Sequence, residues 1–288
     1  MKLLKDIVNE DIDEQSIVAA HEYLPSVRPI YTVNDRFGPE LKASCILFEV
    51  DTTKFLITAG HVFDNLEGSA IYIGGAKRLV HIKGQYFRTR PKGNSENDKY
   101  DLAYVEIDVE ALGEIGNVRF LHSDELDPND FATEAHLYLI LGYPATKNER
   151  IDYENHKTLL KPYIYSANSP ELIVYKRLDV LEESHILINF DRKRITNKSH
   201  EILTAPKPHG LSGGGIWRIR DYSDVASLSG PSPKKLVGIV IEGHPMQKVI
   251  MGVRISCIIE AIKHQYPHLR EKLPNVNRIH ATINSKAL

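Results

Sequence analysis

The chain has 288 residues, 42% hydrophobic and 26% charged, with 36 lysines and arginines against 38 aspartates and glutamates. A formal charge of -2 excludes a basic nucleic-acid footprint over the whole surface, and the composition excludes wholesale disorder. A compact chain of this length buries roughly 75% of the surface its unfolded form exposes, so it needs no covalent staples.

The N-terminus, Met1-Lys2-Leu3-Leu4-Lys5-Asp6, turns acidic before a signal-peptide core forms. No apolar run reaches the length of about 18 residues needed to span a bilayer. Ile12, Ile17, Val18 and Leu24 among acids predict a short amphipathic helix at the start. After Pro25 and Pro29 the texture changes to short apolar and β-branched runs. Strands are predicted over 44–50, 54–58, 70–73, 80–82, 102–107, 135–141, 172–175, 185–190, 215–220, 236–241 and 248–253. Turn chemistry separates them at Asn65-Leu66-Glu67-Gly68, Gly74-Gly75, Gly142-Tyr143-Pro144 and Gly230-Pro231-Ser232-Pro233. The polar stretch 112–128 lacks strand alternation and is expected to join two β units. From Ser256 to Tyr266 apolar residues recur at helical spacing, and Pro267 ends the run. The pattern is all-β, an antiparallel sandwich or barrel with a C-terminal helix.

Three segments carry chemistry, and their order matters more than any one of them. Phe55-Leu56-Ile57-Thr58-Ala59-Gly60-His61 is an apolar strand that delivers one histidine past its end. Asp101-Leu102-Ala103-Tyr104-Val105 opens an alternating strand with an aspartate. His209-Gly210-Leu211-Ser212-Gly213-Gly214-Gly215 sets a serine among glycines ahead of a further strand. Acyl transfer to water needs such parts: a hydroxyl, an imidazole to take its proton, a carboxylate to orient that imidazole, and N–H donors for the oxyanion. Glycines around Ser212 permit the dihedrals and close approach that such donors require.

These segments resemble the histidine, aspartate and Gly-x-Ser-Gly-Gly motifs of the trypsin-like (chymotrypsin-fold) serine peptidases. The similarity continues through Leu236-Val237-Gly238-Ile239-Val240 and Met251-Gly252-Val253, and covers roughly residues 30–266. It implies two six-stranded antiparallel β-barrels with a C-terminal helix and the site in the cleft between them. The implied division is an extension over 1–28, a barrel with His61 and Asp101 over 29–120, a barrel with Ser212 plus the terminal helix over 121–268, and a tail over 269–288. His61 is then general base and acid, Asp101 its orienting partner and Ser212 the nucleophile, with the N–H groups of Gly210 and Ser212 as the oxyanion hole. The substrate is a protein or peptide. No cofactor, nucleic acid or membrane is implied.

Several positions depart from the family pattern. Leu211 stands where secreted relatives carry an aspartate that pairs with a new N-terminal amine, so that activating ion pair is excluded. Cys45 and Cys257, far apart in sequence, cannot form the disulfide that brackets the histidine strand in those relatives. Both departures fit an intracellular, cytoplasmic peptidase without disulfides. Ile241 aligns where a serine hydroxyl supports the aspartate, leaving Asp101 one bond poorer. Ile241, Glu242 and Gly243 are expected to wall the primary pocket, Thr204-Ala205-Pro206 to form another wall, and Gly252 to lie near its base. Pro206 gives no acidic anchor for lysine or arginine; Glu242 is the alternative carboxylate.

Rival readings are weighed on the same residues. A nucleophile elbow of α/β-hydrolases needs a helix directly after the serine, but three glycines are poor helix formers and Ile216-Trp217-Arg218-Ile219 is strand-like. A barrel protein that only binds, or one latent until an activating protein partner orders the oxyanion turn, is the alternative from another class. Among 13 histidines no His-Glu-x-x-His occurs, since His21-Glu22 and His200-Glu201 both lack a second ligand. Arg192-Lys193-Arg194 and Lys234-Lys235 are predicted to be solvated turns.

Overall fold

A computed structural model of the chain describes residues 4–33, 38–64, 70–75, 78–89, 98–148, 160–196, 202–223 and 233–277. The expected turns at 65–68 and 230–232, and the pair His200-Glu201, lie outside the described residues.

The first element, α1 (Leu4–Tyr23), contains no glycine or proline and stops just before Pro25. Its buried stripe is Ser16, Ala19, Ala20 and Tyr23, spaced i, i+3, i+4, i+7. The face expected from Ile17 and Val18 is instead exposed, because the small alanines let the helix approach a sheet that the branched residues would hold off. Tyr23 stacks on the fully buried Trp217, with ring centroids 5.4 Å apart. Asp11 accepts from Arg220 Nε at 3.0 Å and from the Tyr222 hydroxyl at 3.0 Å. The helix is thereby docked on the second of two sheets.

The first sheet is built from β1 (Val27–Val33), β2 (Pro39–Val50), β3 (Thr53–Ala59), β4 (Tyr72–Gly74), β5 (Leu79–His81), β6 (Tyr86–Arg88) and β7 (Leu102–Glu106). Their order is β5-β4-β1-β2-β3-β7-β6, every described pair antiparallel. Seven strands stand where six were expected. The prolines hide β1, yet Pro29 lies just before β4 begins to pair at Ile30, so the N–H it lacks is not needed there.

A connector follows. Its first part is α2 (Val109–Ile115), capped by Asp108, which accepts from Ala111 N at 2.7 Å. Leu121 then bridges to Phe48 of β2, and Leu126 bridges to Leu236 in the second sheet. The stretch 112–128 thus straps one sheet to the other.

The second sheet uses β8 (His136–Gly142), β9 (Tyr163–Asn168), β10 (His185–Asn189), β13 (Gly215–Asp221), β14 (Lys235–His244) and β15 (Val249–Arg254). Their order is β10-β15-β14-β13-β8-β9. Between β10 and β13 a two-stranded ribbon joins β11 (Ile195–Thr196) to β12 (Ile202–Leu203). The chain is mostly β, two curled antiparallel sheets followed by α4 (Ile255–Gln265).

The strand expected over 172–175 is instead a helix, α3 (Leu172–Arg177). Its β-branched content misleads, because Leu172 and Ile173 are exposed and only Tyr175 is buried. The flanking signals are helical, with Pro170 and Glu171 before it and Lys176 and Arg177 in its last turn.

Candidate active site

β3 ends at Ala59, and a tight turn carries His61 to the seam between the sheets. β7, its hydrogen-bonded neighbour, begins one residue after Asp101. This pairing brings the two side chains together. His61 Nδ1 lies 2.5 Å from Asp101 Oδ2, and the His61 backbone N–H donates to Asp101 Oδ1 at 2.7 Å. Gly60 N donates to the Asp101 carbonyl at 2.8 Å. Asp101 itself has φ +42, a left-handed backbone that a short polar side chain tolerates better than most. Both carboxylate oxygens are thus spent on His61, and Ile241 supplies no hydroxyl to either. A carboxylate is acceptor-only, so Nδ1 carries the proton and Nε2 is left basic. Burial alone would lower the His61 pKa. The Asp101 bond and charge, with Asp64 and Glu242 further off, outweigh it and hold the value above its ordinary 6.5.

Ser212 sits in the turn before β13, which crosses over to β2. The Ser44 N–H donates to the Ser212 carbonyl at 2.8 Å, Ser44 Oγ donates to the Gly210 carbonyl at 2.8 Å, and Tyr143 N donates to Ser44 Oγ at 2.8 Å. Thr58, on the histidine strand, donates its hydroxyl to the Ser44 carbonyl at 2.8 Å. Ser44, which sequence reasoning treated only as the start of a strand, therefore binds the serine turn and the histidine strand at once. Ser44→Ala leaves two buried backbone groups without partners. It is expected to cost about 1–3 kcal/mol, read as a lower urea midpoint at unchanged slope.

The turn has a defined polarity. The His209 carbonyl accepts from Ala145 N at 2.9 Å. In a trans peptide the N–H points opposite to the carbonyl, so the Gly210 N–H faces away from Ala145. Gly210 has φ +90, and a Cβ there would lie 2.6 Å from Ala145 N, so the position needs glycine. Leu211 N donates to Pro208 O and Gly213 N to Val240 O, whereas the N–H groups of Gly210 and Ser212 have no acceptor among the described residues.

His61, Asp101 and Ser212 line one cleft of about 680 Å³ together with Ile241, Glu242 and Gly243. A hydrogen bond from Ser212 to His61, which the role of His61 as general base requires, is not formed. The Ser212 hydroxyl donates instead to the Ile241 carbonyl at 3.3 Å. One expected pocket wall and the expected base also differ. Ala205 is buried, its N and O both bonded to Arg192 in the turn ahead of the ribbon, so the segment 204–206 is pinned there and Pro208 and His209 line the cleft in its place. Arg192-Lys193-Arg194 is the expected turn, with Lys193 and Arg194 exposed, while the Arg192 guanidinium also bonds Ala205. Gly252 faces the sheet core, where a Cβ would lie 2.4 Å from Ile216 Cδ1, and its neighbour Met251 reaches the cleft. Glu242 is 60% exposed, and its Oε2 lies 3.4 Å from His244 Nε2; that proximity draws its pKa down.

Cys45 and Cys257 are free and buried, and burial raises their thiol pKa values to about 12 and about 11. No group of three or more His, Cys, Asp or Glu that could hold a metal ion occurs among the described residues, and none of the described helices is long and apolar enough to cross a membrane.

No family model and no curated protein matches the chain. Among solved structures, a Glu endopeptidase in complex with MPD is similar over 83% of this chain and 90% of its own, with 14% identity and a TM-score of 0.46.

Proposed function

We propose that this chain is a serine endopeptidase that cleaves protein substrates through an acyl-enzyme. The observation that carries the reading is the 2.5 Å bond from His61 to Asp101 in the same cleft as Ser212. His61 Nε2 takes the Ser212 proton as Oγ bonds to the scissile carbonyl carbon. The carbonyl electron pair moves onto oxygen and is held by the N–H groups of Gly210 and Ser212. Collapse expels the amine, which receives its proton from His61, and water repeats the sequence on the acyl-enzyme. Ser212 must first turn its hydroxyl from Ile241 to His61. That step trades one hydrogen bond, worth about 0.5–1.5 kcal/mol net, for another and crosses one staggered barrier.

The one carboxylate among Ile241, Glu242 and Gly243 is solvated and lies 3.4 Å from His244 Nε2, so these three residues supply no buried anchor for lysine or arginine. A reducing, cytoplasmic setting belongs to the same reading and is supported by the two free thiols.

A second reading, the partner-activated or silent binding module, draws on the Ser212–Ile241 bond. Against it, the carbonyls of both His209 and Gly210 are held outside the cleft by Ala145 N and Ser44 Oγ, which opposes collapse of the turn. A fluorophosphonate probe separates the two. Labelling of the isolated chain that vanishes in Ser212→Ala is the expected result. Folded wild type that stays unlabelled would leave the module.

A further inference from the structure

The strained backbone at Asp101 is held from both sides, and one of the two clamps comes from the opposite sheet. Downstream, Leu102 N donates to Thr89 Oγ1 at 3.1 Å. Upstream, the Lys99 carbonyl lies 2.7 Å from Nε2 of His185, the first residue of β10. Tyr100, between them, stacks on the His185 ring with centroids 5.9 Å apart and planes 27° apart. The Lys99 ammonium reaches across the same seam to Asp179, itself left-handed at φ +52. Residues at such dihedrals persist only where their surroundings over-determine them.

His185 is 2% exposed. A carbonyl can only accept, so Nε2 carries the proton and the bare Nδ1 receives the Ser184 hydroxyl at 2.9 Å. Burial foremost, then the charges of Lys99 and Arg254, keep its pKa below the ordinary value despite the hydrogen bonds it makes, so the ring is neutral at pH 7. It thus has one defined tautomer and one defined donor. Nothing about it in sequence distinguishes it from the other 12 histidines, because its partner is 86 positions away.

We propose that His185 is a positioning residue of the site, fixing the Lys99 carbonyl so that the left-handed turn aims both carboxylate oxygens of Asp101 at His61. The inference rests on the peptidase reading for its activity arm only. Asp101 makes two bonds to one residue, so a small rotation of its turn weakens both together, and the field that raises the His61 pKa weakens with them.

The test compares His185→Phe, which keeps a ring against Tyr100 but has no donor, with His185→Gln, which keeps one. The His61 titration midpoint is followed by NMR of its ring protons in the full chain, alongside the fluorophosphonate labelling rate of Ser212. In His185→Phe the midpoint is expected to fall by about half a pH unit or more. Labelling is expected to slow about 10- to 100-fold. His185→Gln recovers most of both. A folded His185→Phe with the wild-type midpoint overturns the proposal. Should that variant not fold, His185→Leu, which likewise has no donor, decides: an unchanged midpoint refutes positioning while a lowered one supports it. If wild type never labels, the peptidase reading fails, and the midpoints still decide the role of His185.

Discussion

Asp101→Asn is expected to lower turnover about 10⁴-fold with little change in substrate affinity. The carboxylate accepts from both His61 N and His61 Nδ1. An amide offers one acceptor oxygen and one NH₂ donor. If the oxygen takes the backbone N–H, the NH₂ faces Nδ1 and forces it bare, which puts the proton on Nε2, where no base is then available to Ser212. The pH dependence moves as well. Wild-type activity needs neutral His61, so it falls as pH drops through a midpoint above 6.5. Removing the Asp101 charge lowers that midpoint, and the residual activity of Asp101→Asn should persist to lower pH. Stability follows the opposite sign. A histidine whose folded pKa is raised stabilises fully below its unfolded value, and that contribution is lost as pH rises through the folded one. The variant is therefore most destabilised relative to wild type in acid solution and less so above the raised midpoint. Rate-against-pH profiles and urea titrations at several pH values read both. A variant with the wild-type acid limb would refute the coupling of the two side chains.

Gly213→Ala is expected to cost about 3–5 kcal/mol of stability and to abolish probe labelling. Gly213 has φ +81, and a methyl there would lie 2.1 Å from the Ser44 carbonyl oxygen and 2.2 Å from Thr58 Oγ1. Neither neighbour can yield. Ser44 O is backbone within β2, and Thr58 Oγ1 is held against that same oxygen. Gly213 N is also fixed to Val240 O at 2.7 Å, so the turn cannot swing away. The control is Gly113→Ala, inside α2, where an added methyl meets nothing within 4 Å. Helix propensity there should raise stability by roughly 0.5–1 kcal/mol. Paired denaturant curves for the two variants are the measurement. A Gly213→Ala protein as stable as wild type would mean that the turn does not pack against Ser44 and Thr58 as described.

The legibility of the chain differs from element to element. Strands such as β3, β7, β13 and β14 were readable because short β-branched and apolar runs end in turn residues, a property local to each segment. β1 was not, since Pro29 within it speaks against a strand and only the limited extent of β4 makes that proline acceptable. α3 was misread because its Leu-Ile-Val run suits a buried strand, whereas burial, fixed by the whole fold, leaves Leu172 and Ile173 outside. Ser44 and His185 carried no signal at all. Each matters through a partner more than 80 positions away, Gly210 in one case and Lys99 in the other.

The sequence by itself determined the β-rich class, the terminal helices, and the three segments that bear a histidine, an aspartate and a serine among glycines. Those features depend on neighbours a few residues apart. Only the tertiary structure decided which groups meet: that Asp101 spends both oxygens on His61, that the Ser212 hydroxyl rests on Ile241, that α1 covers the second sheet, and that Gly252 lies in the core while Met251 reaches the cleft. Hydrogen bonds act over about 3 Å, and strand pairing between residues far apart in the chain is what brings atoms to that distance.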